Sequence, residues 1–163
     1  MRKITFKWDG PKSLQSVLEI PFYRVSMRLH GLHPGNPALP TVMTFWRVDG
    51  TWLEVYAPMH DIAERSEVGV LTFEMVSSRP KDEEVSIDME PNPFVPVDIK
   101  KLTIKDEDVL AEAGIKLVSA EGKAITVVAN AFPCTLAIEG VRDDVPRIFD
   151  TAYEIDKYEI IPL

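Results

Sequence analysis

The sequence predicts an α+β domain that is mainly antiparallel β: two hairpin-rich sheets, or one strongly curved sheet, with one short helix over about 106–113. Three observations carry this. Apolar residues recur with period two along much of the chain, two Gly-containing turns sit between alternating segments, and only one stretch has helix-boundary chemistry at both ends.

In chain order, Ile4, Phe6 and Trp8 alternate with Lys3, Thr5 and Lys7, the pattern of a strand with one face on a core. In 22–30, Tyr23, Val25, Met27 and Leu29 point inward while Arg24, Ser26, Arg28 and His30 point outward. Three prolines and two glycines make 31–40 a loop. Asp49-Gly50 then suits a two-residue hairpin turn with positive φ angles. That turn pairs Val48 with Thr51 and Trp46 with Leu53, which puts Trp46 and Leu53 on the core face and leaves Arg47 to lie on Trp52 as a cation–π contact. Residues 58–67 read as a helical turn or an ordered loop.

A strand over 68–76 follows, with Leu71, Phe73 and Met75 on one side, and a polar link at 77–82 turns it back into 84–90. There Val85, Ile87 and Met89 alternate with Glu84, Ser86, Asp88 and Glu90, which forms an acidic outward row. Pro91-Asn92-Pro93-Phe94-Val95-Pro96 is either a sub-boundary or a crossing between two sheets. Asp106 suits a helix N-cap, Glu107 and Asp108 the positive end of the dipole, and Gly114 a left-handed C-cap. A second hairpin turns at 120–123 and pairs Val118 with Ile125, which makes 124–129 an interior strand. Strands at 135–139 and 151–161 flank an acidic loop at 140–150, and a phase shift places a bulge near Asp156 and Lys157 in the last of them.

With 163 residues and 45% hydrophobic content, the chain is expected to fold as one domain over 1–163. No apolar run follows the first charges and none reaches the ~20 residues that span a bilayer, so neither a signal peptide nor a membrane segment is expected. Cys134 is the only cysteine, which excludes an internal disulfide and suits a reducing cytoplasm. The net charge of −8 is unevenly spread: residues 1–80 carry 9 basic and 8 acidic side chains, and residues 81–163 carry 9 and 18. Nucleic acid and anionic lipid need clustered Lys and Arg, so this balance argues against both and favours a basic protein partner.

Chemistry-bearing residues are sparse. His30 and His33 with His60-Asp61 make a conceivable zinc set, but strand and loop spacing does not converge imidazoles as a helix does. Cys134, flanked by Phe132, Pro133 and Leu136, reads as a buried structural thiol rather than a nucleophile activated by His60. No phosphate loop, dinucleotide fingerprint, nucleophile elbow, HExxH or EF-hand occurs, so no cofactor or catalytic set is expected. The expected function is a non-enzymatic, cytoplasmic protein-binding domain, in its concrete form an immunity or antitoxin-type inhibitor of a basic bacterial toxin. Its partner surface would comprise Glu84, Asp88, Glu90, Asp143, Asp144, Asp150 and Trp52. The alternatives are a small hydrolase or ligand-binding β-domain using His60, Cys134 or a Trp-lined cavity, and a subunit of a larger assembly.

Overall fold

The two hairpin turns determine which side chains face inward, and both close one residue differently from the two-residue expectation. In the computed structural model, which describes residues 1–30, 39–63, 66–81, 83–106, 108–131, 133–141 and 155–163, Arg47 rather than Val48 closes the first turn. Arg47 N–H donates to the Thr51 carbonyl (3.1 Å) and Gly50 N–H to the Arg47 carbonyl (3.1 Å), with Gly50 at φ 81°. This is a three-residue loop whose last residue must be left-handed, a position that glycine fills without a Cβ penalty. Ser119–Lys123 repeats it, with Gly122 at φ 81°.

The shift changes faces. Between β3 (Leu39–Arg47) and β4 (Trp52–Tyr56), Phe45 pairs with Leu53 and Met43 with Val55, and these four are buried in the core. Trp46 pairs with Trp52 on the opposite face, so the Trp46–Leu53 core pairing does not form. Between β10 (Val109–Ser119) and β11 (Ala124–Ala129), Leu117 pairs with Ile125, not Val118.

One five-stranded antiparallel sheet has the order β7-β4-β3-β2-β8, where β2 is Phe22–His30, β7 Thr72–Val76 and β8 Val85–Asp88. The other has the order β12-β11-β10-β9-β13, with β1 (Arg2–Ile4) pairing parallel to β10. Its remaining strands are β9 (Pro96–Asp106), β12 (Leu136–Glu139) and β13 (Glu159–Pro162). As the pattern at 124–129 implies, β11 is interior, paired with both β10 and β12. Strands β5 (Met59–Ala63) and β6 (Ser66–Gly69) pair where a helical turn or loop was expected; Met59 faces Gly69 and His60 faces Val68.

A single hydrophobic cluster draws on both sheets. Val25, Phe45, Leu53 and Ile87 come from one, and Ile99, Ile115, Val127 and Leu136 from the other. Each such fully buried side chain contributes roughly 1.5–3 kcal/mol. The segment 91–95 is the crossing between the sheets: Phe94 exchanges backbone hydrogen bonds with Phe22 and stacks on its ring at 5.2 Å. Tyr23 is 41% exposed rather than inward, because a register shift between Phe22 and Arg24 turns Phe22 into the core instead.

The helix is short, as expected, but lies elsewhere. The α-helix α1 is Leu14–Leu18, capped by the Ser13 side chain accepting from Ser16 N–H (3.2 Å), and it buries Val17 and Leu18. Asp106 instead ends β9 and Val109 begins β10, where Val109, Ala111, Ala113, Ile115 and Leu117 are buried at period two. Cap chemistry at 106–108 and Gly114 could not prevail against ladders to β9, β11 and β1. Gly114 serves the packing, since a Cβ there would come within 2.3 Å of Val128. A 3₁₀ turn at Ile155–Lys157 takes the place of the expected bulge, after which Tyr158 is buried and Ile160 exposed. Among the described residues no helix is long and apolar enough to cross a membrane.

Candidate functional site

Strands β7 and β8 occupy opposite edges of the five-stranded sheet, so the chain joining them crosses its outer face rather than turning back beside β7. That crossing buries what would be a solvated face. The guanidinium of Arg79 lies 5.5 Å from the Trp46 ring centroid, and that of Arg24 lies 5.3 Å from it. Trp46 Nε1–H donates to Ser26 Oγ (2.7 Å) and Thr44 Oγ1–H to Glu83 Oε1 (3.4 Å). Ser26, Thr44 and Trp46 are therefore buried although they point away from the core. Burial raises the Glu83 carboxyl above its ordinary value, against the opposing pull of Ser26, Arg28 and Thr44. Sequence reasoning missed this cover. Its one signal was Ser26 and Thr44 standing beside Trp46 in an otherwise charged row.

The acidic residues of β8 and its extension divide. Asp88 is ion-paired with Arg24 Nε at 2.7 Å, and this hydrogen bond raises the Arg24 guanidinium. Glu84 and Glu90 are exposed at either end of the strand. Beyond β8 lies an open groove of about 940 Å³ bordered by Asp88, Glu90 and Glu121, with Lys123 on the same rim. Its walls include Met89, Phe94, Val95 and Val97, and the last two are 48% and 58% exposed. Asp143, Asp144 and Asp150 lie outside the described residues, so the structure does not join them to this surface.

Trp52 is half-buried and packs edge-on against Trp46, with centroids 6.2 Å apart. Arg47 does not lie on it. The Arg47 guanidinium is buried, donating from Nη1 to the Val17 carbonyl (3.1 Å) and from Nη2 to Met75 Sδ (3.1 Å), and desolvation lowers its pKa. The one-residue shift of the hairpin turned it inward to the helix end. Trp8 is half-buried and packs against the core, its Nε1–H bonded to the Lys12 carbonyl (2.8 Å). Trp8 borders a cavity of about 310 Å³ together with Lys7, Tyr56 and Met75, and neither Trp46 nor Trp52 lines it.

His30 ends β2, His33 lies outside the described residues, and His60 sits in β5. Among the described residues no three His, Cys, Asp or Glu side chains group to hold a metal. Cys134 is exposed, at φ 58° in the turn between β11 and β12, and is not the buried thiol its apolar neighbours suggest. Set against family models, curated proteins and solved structures, the chain matches none.

Proposed function

We propose that this chain is a non-enzymatic protein-binding domain that presents an acidic surface to a basic protein, in its concrete form an immunity or antitoxin-type inhibitor of a bacterial toxin. The supporting observation is the surface that runs along β8 and into the groove: Glu84 and Glu90 are exposed at either end of the strand, and Val95 and Val97 are exposed on the groove wall. Carboxylates on such a rim steer a cationic partner and set specificity, while the apolar walls supply area to bury. Asp88 contributes less net charge than its position suggests, because Arg24 neutralises it.

Binding of an octapeptide alternating lysine and valine, followed by calorimetry, tests the acidic surface. Affinity should fall at least tenfold between 20 and 500 mM salt and vanish when Glu84 and Glu90 are reversed to Lys, whereas a glutamate–valine peptide should not bind. Equal affinity for both peptides would remove the acidic surface from the account. The inhibitor form is tested by co-expression with the product of the neighbouring reading frame, which should rescue growth if that product is a toxin.

A further inference from the structure

Strand β8 is the last strand on its side of the five-stranded sheet, and among the described residues no other strand pairs with its far side. Met89 N–H donates to the Tyr23 carbonyl (2.8 Å), and β8 pairs with β2 in the register Val25 to Ile87 and Ser26 to Ser86. Antiparallel ladders alternate, so Ile87 exchanges its hydrogen bonds with Val25, while Ser86 and Asp88 turn their N–H and C=O groups outward. Both residues are exposed. The opposite edge of this sheet is partly covered: Lys7 N–H donates to the Leu71 carbonyl (3.2 Å) and Phe73 N–H to the Lys7 carbonyl (2.9 Å), which closes the edge at the start of β7.

We infer that β8 receives an extended segment of the partner protein as an added strand, with basic residues meeting Glu84 and Glu90 and apolar residues alternating with them. This rests on the protein-binding reading above and specifies how binding occurs. An added strand satisfies the outward backbone groups of Ser86 and Asp88, and its alternating side chains fall on the two faces of the sheet. One face carries Asp88 beside Arg24. The other carries the partly buried Val85 and Met89, and it continues toward the exposed Val95 and Val97. A second copy of this chain is a poor occupant, because antiparallel self-pairing of β8 would bring like carboxylates together.

The test uses the full-length protein and the lysine–valine octapeptide in two forms, one unmodified and one N-methylated at alternate residues along a single edge. N-methylation keeps charge and side chains but removes the donors an added strand needs. If β8 is extended, the methylated peptide binds at least tenfold more weakly, and Ser86→Pro weakens the unmodified peptide similarly. Proline is compatible with the fold at 86, because the N–H it deletes points away from β2; an unchanged urea midpoint verifies this. Should both peptides bind equally well, strand addition is wrong while the acidic-surface reading stands. If neither binds, that reading fails first. A dimer that Ser86→Pro converts to monomer would overturn the proposal in favour of self-pairing.

Discussion

Among the described residues, three glycines with positive φ separate two costs that are usually mixed. Gly50 and Gly122 stand at φ 81° with nothing within 4 Å of where a Cβ would be, so alanine there meets only the backbone penalty. That penalty is roughly 1–2 kcal/mol, offset in part by the ~0.4–1 kcal/mol that alanine gains through a less flexible unfolded chain. Gly140 has φ 85°, but its Cβ would lie 2.0 Å from the Ala124 carbonyl oxygen, at the start of an interior strand. Relieving that overlap requires backbone movement, which adds about 1–3 kcal/mol. Urea denaturation should therefore show losses of about 1 kcal/mol for Gly50→Ala and Gly122→Ala and about 3 kcal/mol for Gly140→Ala, with unchanged slopes. Asparagine tolerates the left-handed region, so Gly50→Asn should recover much of the loss and Gly140→Asn none. Equal losses at all three positions would refute the close approach at Gly140, and a Gly50→Asn no better than Gly50→Ala would refute the three-residue turn.

The Glu83 carboxyl has its pKa raised by burial, so its penalty to the folded state is present above the folded pKa and is relieved as pH falls through that value toward the unfolded one. Glu83→Gln should accordingly stabilise the protein more at pH 7 than at pH 4.5, in matched urea titrations; a constant difference would refute the burial. Arg47→Ala should cost about 3 kcal/mol, because it strips the stem packing and leaves the Val17 carbonyl with only the long hydrogen bond from Ile20 N–H (3.4 Å). Arg47→Met, which preserves the volume and removes a desolvated charge, should cost clearly less by thermal melting.

Period-two alternation located most strands of the two large sheets, because a strand with one buried face records its own pattern. What alternation does not record is phase between strands. Asp49-Gly50 is compatible with a two-residue turn and a three-residue turn alike, and the single extra residue exchanged Phe45 for Trp46 at the core. Residues 106–113 failed differently. Val109, Leu110 and Ala113 fit a helical face and Val109, Ala111 and Ala113 fit a strand face, and only the nonlocal ladders decide. On the candidate surface, the alternation of Glu84, Asp88 and Glu90 was legible, but the Arg24 that neutralises Asp88 is 64 residues away.

The uneven charge of the sequence is therefore a poor guide until each carboxylate is assigned a partner. Glu112, one of the acidic residues of the later half, bonds Lys101 and accepts from Phe6 N–H (2.7 Å), so it fastens the N-terminal segment rather than facing a partner. Glu83 is drawn onto the hydroxyl of Thr44. Because Arg79 and Glu83 cover the middle of the outer face, a protein approaching this sheet meets the crossing chain before it meets the strands. The backbone left open to it on β8 lies between Glu84 and Glu90, which couples recognition of charge to recognition of an edge. Charge reversal and loss of the Ser86 N–H should therefore act on the same bound segment and combine non-additively in a double-mutant cycle. Strict additivity would mean that the carboxylates and the strand edge serve different contacts.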